Sequence, residues 1–119
     1  MAGIMEQAKE LGNALARTDE YQALRRALKD ADDDRAITEA RTELERLEGV
    51  IAAALRAGQE PPKEEAEAYE TAVGRLQTNA TYQRLVSAQS NFEKVIQKVN
   101  GTIEKGMEEG ADSRIILAP

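Results

Sequence analysis

Asp30, Asp32 and Asp34 stand at alternate positions in the run Asp30-Ala-Asp-Asp-Asp34, the spacing at which a calcium loop supplies its first oxygens. Such a loop also needs glycine at its sixth position and a bidentate glutamate at its twelfth. Arg35 and Arg41 occupy those positions, so the loop chemistry fails. The run is expected instead to be a turn, with one of Asp32 to Asp34 capping the next helix. The paired carboxylates Glu64-Glu65 and Glu108-Glu109 lack chemical companions, because the chain has no histidine and no cysteine. That composition excludes imidazole catalysis, thiolate chemistry, disulfides, ordinary zinc sites and the Glu-x-x-His pairs of four-helix metal centres. Neither a Gly-x-Ser-x-Gly elbow nor a glycine-rich phosphate loop occurs. No catalytic residue, metal site or cofactor is therefore expected, and no enzyme. Arg25, Arg26 and Lys29, with Arg17 nearby, could touch RNA. The net charge of −6 and the lack of interleaved aromatics favour a solvated helix face.

These residues ride on elements that read as helices throughout. The longest pattern runs from Asn79 to about Met107. Tyr82, Leu85, Gln89, Phe92, Ile96, Val99, Ile103 and Gly106 recur in steps of three and four, which keeps one narrow stripe facing a partner. Ile37, Ala40, Leu44, Leu47, Ile51 and Ala54 repeat that spacing in a second rod, from about Arg35 to Ala57. Gly58 and Pro61-Pro62 end it, since proline has no amide hydrogen to continue the ladder. A shorter helix from about Lys63 carries Ala66, Tyr69, Val73 and Leu76, and Asn79 can cap the final rod. Nearer the N-terminus, Ile4, Ala8, Leu11 and Leu15 form one stripe and Tyr21, Leu24, Leu28 and Ala31 another, with Thr18 as the N-cap between them. Sequence leaves open whether Thr18 breaks the helix or only kinks it. Gly110 is expected to close the last helix, making residues 1–109 one domain and 110–119 a flexible tail with an apolar Ile115-Ile-Leu117 run.

Thr18-x-x-Tyr21-Gln22-x-Leu24 returns 61 residues later as Asn79-x-x-Tyr82-Gln83-x-Leu85. Shared helix-start grammar explains this echo more simply than a duplicated helix pair. Gln89 is either a seam-edge residue reaching water or a polar register-setter in a helix–helix interface. Gly49 and Gly101 fall opposite the two seams.

The expected fold is all-α, about five helices, with two long antiparallel rods and shorter helices packed across them. Of the 49 residues in the hydrophobic class, 20 are alanine, which favours helix but buries little area. A thin core follows, with more apolar stripe than the short helices can cover. A homodimer is the simplest cover. Its candidate seam, shared between core and interface, is Ile37, Leu44, Leu47, Ile51, Leu85, Gln89, Phe92, Ile96, Val99 and Ile103. The pI near 4.8 opposes general affinity for nucleic acid or anionic membrane. No apolar run reaches the roughly 20 residues of a membrane span, and no signal-peptide h-region is evident, so cytoplasm is the expected location.

The order of a short amphipathic helix, "RTDEYQALRRALKDADDD", a long helix, and "AGQEPPKEEAEAYETAVGRLQTNATYQRLVSAQSNFEKVIQKVN" resembles the YlbF/YmcA/YheA family of small bacterial helical proteins. The similarity covers roughly residues 4 to 106 and rests on the order and spacing of soft motifs: caps, a Gly-x-x-Pro hairpin and an N-x-x-Y helix start. The resemblance implies a cytoplasmic, dimer-forming, non-catalytic protein with protein partners in a regulatory complex. Relatives regulate competence, sporulation and biofilm formation, in complexes that influence mRNA processing by a membrane-attached ribonuclease. Cysteines tied to an iron–sulfur cluster in some relatives have no counterpart here. Compact length suggests the YheA branch. The alternative function is an RNA-contacting accessory factor using the Arg25/Arg26 face.

Overall fold

Helix boundaries fall where the chain supplies a cap or a stop. The computed structural model describes residues 3–117, with side chains to residue 112. It has five helices, α1 (Ile4–Ala16), α2 (Asp19–Asp33), α3 (Arg35–Arg56), α4 (Lys63–Thr78) and α5 (Ala80–Leu117), and no strand among the described residues. Thr18 does break the first two apart: its Oγ1 accepts from the Tyr21 amide at 3.2 Å and donates to the Leu15 carbonyl at 2.7 Å. Asn79 Oδ1 accepts from the Tyr82 amide at 2.9 Å in the same way. The two glutamines complete each corner. Gln22 Nε2 donates to the Ala16 carbonyl at 2.7 Å, and Gln83 Nε2 to the Gln77 carbonyl at 2.9 Å. The 61-residue echo is therefore one corner built twice, satisfying orphan groups on both sides of a tight helix-to-helix turn.

Gly58 ends α3 at φ +72°. Its amide donates to Leu55 at 3.1 Å and that of Gln59 to Ala54 at 2.9 Å, the paired bonds of a glycine-terminated helix end. Two expected boundaries move. The acidic run is not a turn: α2 continues through Asp33 and only Asp34 is non-helical. Ala31 explains this, since it is fully buried and packing holds that helical turn against the run's poor propensity, while Asp32 and Asp33 stay in solvent. At the other end, α5 passes Gly106 and Gly110 and runs to Leu117. The side chains of Ile115-Ile-Leu117 lie outside the described residues.

Each long helix is covered by a short one. α3 and α4 form an antiparallel hairpin, and α2 packs along the first half of α5. Tyr21 meets Phe92 at 5.1 Å between ring centroids, whereas Asp30 lies beside Ala80, so α2 and α5 are also antiparallel. The two long helices start together and run apart. The result is an extended molecule of 72 × 36 × 21 Å with a radius of gyration of 22.2 Å, against about 13–14 Å for a compact chain of this length.

Alanine forms the seams. Ala27, Ala31, Ile37, Leu85 and Ala88 make one buried cluster, flanked by Leu24, Leu76 and Tyr82. Ala40, Leu47 and Ala72 are buried on the α3–α4 pair. Small side chains let helix axes approach to the short end of the usual 8–10 Å range.

Candidate interaction surface

The ten seam residues divide by burial. Ile37, Leu47 and Leu85 are fully enclosed by their own chain. Leu44, Ile51, Phe92, Ile96 and Val99 are half-buried, and Gln89 and Ile103 are exposed. Ile37 and Leu85 meet in one cluster at the junction of the helix pairs; beyond it the seams of α3 and α5 do not meet. Ala88, not Gln89, is buried between Leu85 and Phe92, and Gln89 reaches water. A Cβ at Gly49 or Gly101 would meet nothing within 4 Å, so neither marks a close approach within the chain.

Sequence reasoning placed Ile4 and Leu11 on an apolar stripe but gave no role to Met5, Leu55 and Met107. Ile4 (78% exposed), Met5 (81%), Leu55 (62%) and Met107 (62%) stand in solvent, and α1 has no buried residue. Leu11 shares a groove with Val95, Val99, Thr102 and Ile103, rimmed by Glu20 and Lys98. The signal was available: the stripe on α1 has no complementary stripe of equal length on α2.

The junction holds one partly buried carboxylate, Asp34. Asp34 Oδ1 accepts from the Ile37 amide at 3.0 Å as the N-cap of α3. That bond, foremost, holds its carboxyl below the ordinary range against partial desolvation, with help from the Asn79 and Thr81 side chains and the Ala36 amide. The cap of α3 thus lies beside the cap of α5, where the two helix pairs meet. Because the folded carboxyl is the stronger acid, the stabilisation is present above the unfolded value, about 3.9, and is lost as pH falls through the lower folded value. Asp34→Asn keeps capping ability and removes the charge. It should lower the denaturation midpoint at pH 7, with the gap to wild type closing as pH drops below about 4. A gap that is constant with pH would refute this.

The ion pairs Arg35–Glu39 at 3.0 Å, Arg46–Glu43 at 2.7 Å and Arg41–Asp32 at 3.8 Å are well exposed and contribute little. Arg26 lines the α2–α5 groove opposite Arg84, together with Asp30 and Asn91. Among the described residues no three carboxylates converge as a metal cage, and no helix is long and apolar enough to cross a membrane.

The arrangement offers packing surface, and its chemistry is that of helix association. No individually curated protein gives a significant match. The family described as "Control of competence regulator ComK, YlbF/YmcA" matches residues 4–108, spanning all of α1 to α4 and most of α5. The match is to the family as a whole and does not resolve which branch of it the chain stands in. With nearly every described helix inside it, the chain belongs to the YlbF/YmcA family of regulatory factors.

Proposed function

We propose that the protein is a non-enzymatic interaction module that works in the cytoplasm as a homodimer and docks onto other proteins of a regulatory complex. Competence control, the role by which its family is described, is the process we assign to it. Sporulation, biofilm formation and mRNA processing are neighbouring outputs of the same kind of complex. The observation that carries this reading is area. The chain exposes 9409 Å², where a compact monomer of 13.0 kDa exposes about 6,300 Å². The surplus, roughly 3,000 Å², is several times the approximately 800 Å² that each partner gives to a standard interface.

Sedimentation equilibrium at micromolar concentration tests the dimer. The expected mass is twice the 13.0 kDa of the chain; a folded species at the single mass refutes it. The Arg26/Arg84 pair across one groove favours a second reading, RNA contact. Salt-dependent RNA binding that is abolished by Arg26→Ala would establish that reading over the first.

A further inference from the structure

The end of the molecule formed by α1 and the distal half of α5 has apolar stripes that the chain covers only in part. α2 protects α5 only as far as the Tyr21–Phe92 contact. Beyond Phe92, α5 continues for some 30 Å to residue 112 at helical rise, with Val95, Ile96 and Val99 half-buried and Ile103 and Met107 exposed. α1 extends in the same direction, joined to the body mainly where it meets α2. Its Leu11 overlooks the Val95–Val99–Ile103 stripe across an open groove. A 13-residue helix is marginal in water without tertiary cover, so α1 as it stands lacks the packing that a persistent helix requires.

We infer that two copies join through this end, each laying its distal α5 into the α1–α5 groove of the other, so that α1 and α5 of both chains form a four-helix assembly. The inference rests on the homodimer reading and gives it a location. A second copy is the occupant that the area favours. Two helices about 10 Å across and 20–30 Å long present a footprint of roughly 500 Å², and their accessible surface exceeds that footprint. Counted on both copies, the footprint alone comes to about 1,000 Å², the total that a specific interface must clear. The surface is also self-complementary in kind: apolar stripe on both helices, with Glu20 and Lys98 supplying both charge signs at the groove's rim. A closed two-fold interface uses one patch twice in this way. Ile37, Leu47 and Leu85 are enclosed by their own chain and serve the core only.

The test places one carboxylate at each of several exposed apolar positions and reads mass by sedimentation and helix content by circular dichroism. Leu11→Asp and Ile103→Asp should each weaken dimerisation by at least about 100-fold, since an unpaired carboxylate is costly in an apolar interface, and should leave a folded monomer with a cooperative melt. Leu55→Asp and Val86→Asp, at positions 62% and 44% exposed elsewhere on the molecule, should leave the dimer intact. If the second pair dissociates the dimer and the first does not, the dimer stands and this location is wrong. Loss of the cooperative melt in both Leu11→Asp and Ile103→Asp would also overturn it, placing those side chains in the chain's own core. A wild-type monomer would refute the homodimer reading itself, and this inference with it.

Discussion

Leu85→Ala should lower unfolding stability by about 2–4 kcal/mol, the cost of a large-to-small change at a site that cannot collapse. Leu85 is 2% exposed and stands in the cluster with Ile37, Ala27, Ala31 and Ala88. Three of its four buried companions are alanines, which have no side-chain length with which to fill the cavity. In a chain of this size such a loss corresponds to a melting shift of about 8–16 °C. It is also a large share of the 5–15 kcal/mol typical of whole domains. Thermal denaturation followed at 222 nm is the measurement. A shift below about 3 °C would show that the junction is not where the stability resides.

Ala31→Leu should be as damaging by the opposite mechanism. Ala31 is fully buried, one helical turn beyond Ala27 on the face of α2 that meets Leu85 and Ala88. Three added carbons have no room there, and overpacking of a tight seam typically costs about 1–3 kcal/mol. The effect should exceed that range if α2 is forced off α5. Ala31→Gly provides the comparison, losing one methyl and some helix propensity, about 1 kcal/mol. If the leucine variant is as stable as wild type, the seam is looser than the burial of Ala31 implies. These two substitutions together show what an alanine-rich core does: it gains dispersion from close approach of helices and has little tolerance in either direction.

Much of the fold could be read from residue order because its punctuation is chemical. Thr18, Asp34, Gly58 with Pro61-Pro62, and Asn79 each end or start a helix through a group that local sequence identifies. What periodicity could not supply was pairing. A three-four stripe declares that something must cover it, without saying which helix, so the pairing of α3 with α4 and of α5 with α2 came only from the structure. Alanine was the second obstacle. Ala27 and Ala88 read as helix-formers with little to bury, yet with Ala31 they line the buried cluster at the junction. Gln89 was placed in the seam because it fits the step from Leu85, while Ala88 fits it equally well and is the residue buried. The acidic run misled for a related reason: local repulsion argued for a turn, and the burial of one alanine inside the run outweighed it.

The point where Asp34 meets Asn79 and Thr81 also bears on how the chain closes on itself. Tyr21 and Phe92, which touch in the folded protein, are separated by most of the sequence. Bringing them together directly would close a loop of some seventy residues. α3 and α4 occupy the middle of that loop and meet across only the short connection between Arg56 and Lys63. Once that hairpin has formed, its two ends, Asp34 and Asn79, lie side by side, and α2 and α5 emerge already adjacent. The remaining closure is that of a shorter link. By the logarithmic dependence of closure entropy on loop length, shortening the loop from about 71 residues to the roughly 26 of Tyr21–Asp34 and Asn79–Phe92 removes about 1 kcal/mol from the cost of the long-range seam. The hairpin thus acts as a template whose own contacts are local, and the distant pair is joined from the junction outward.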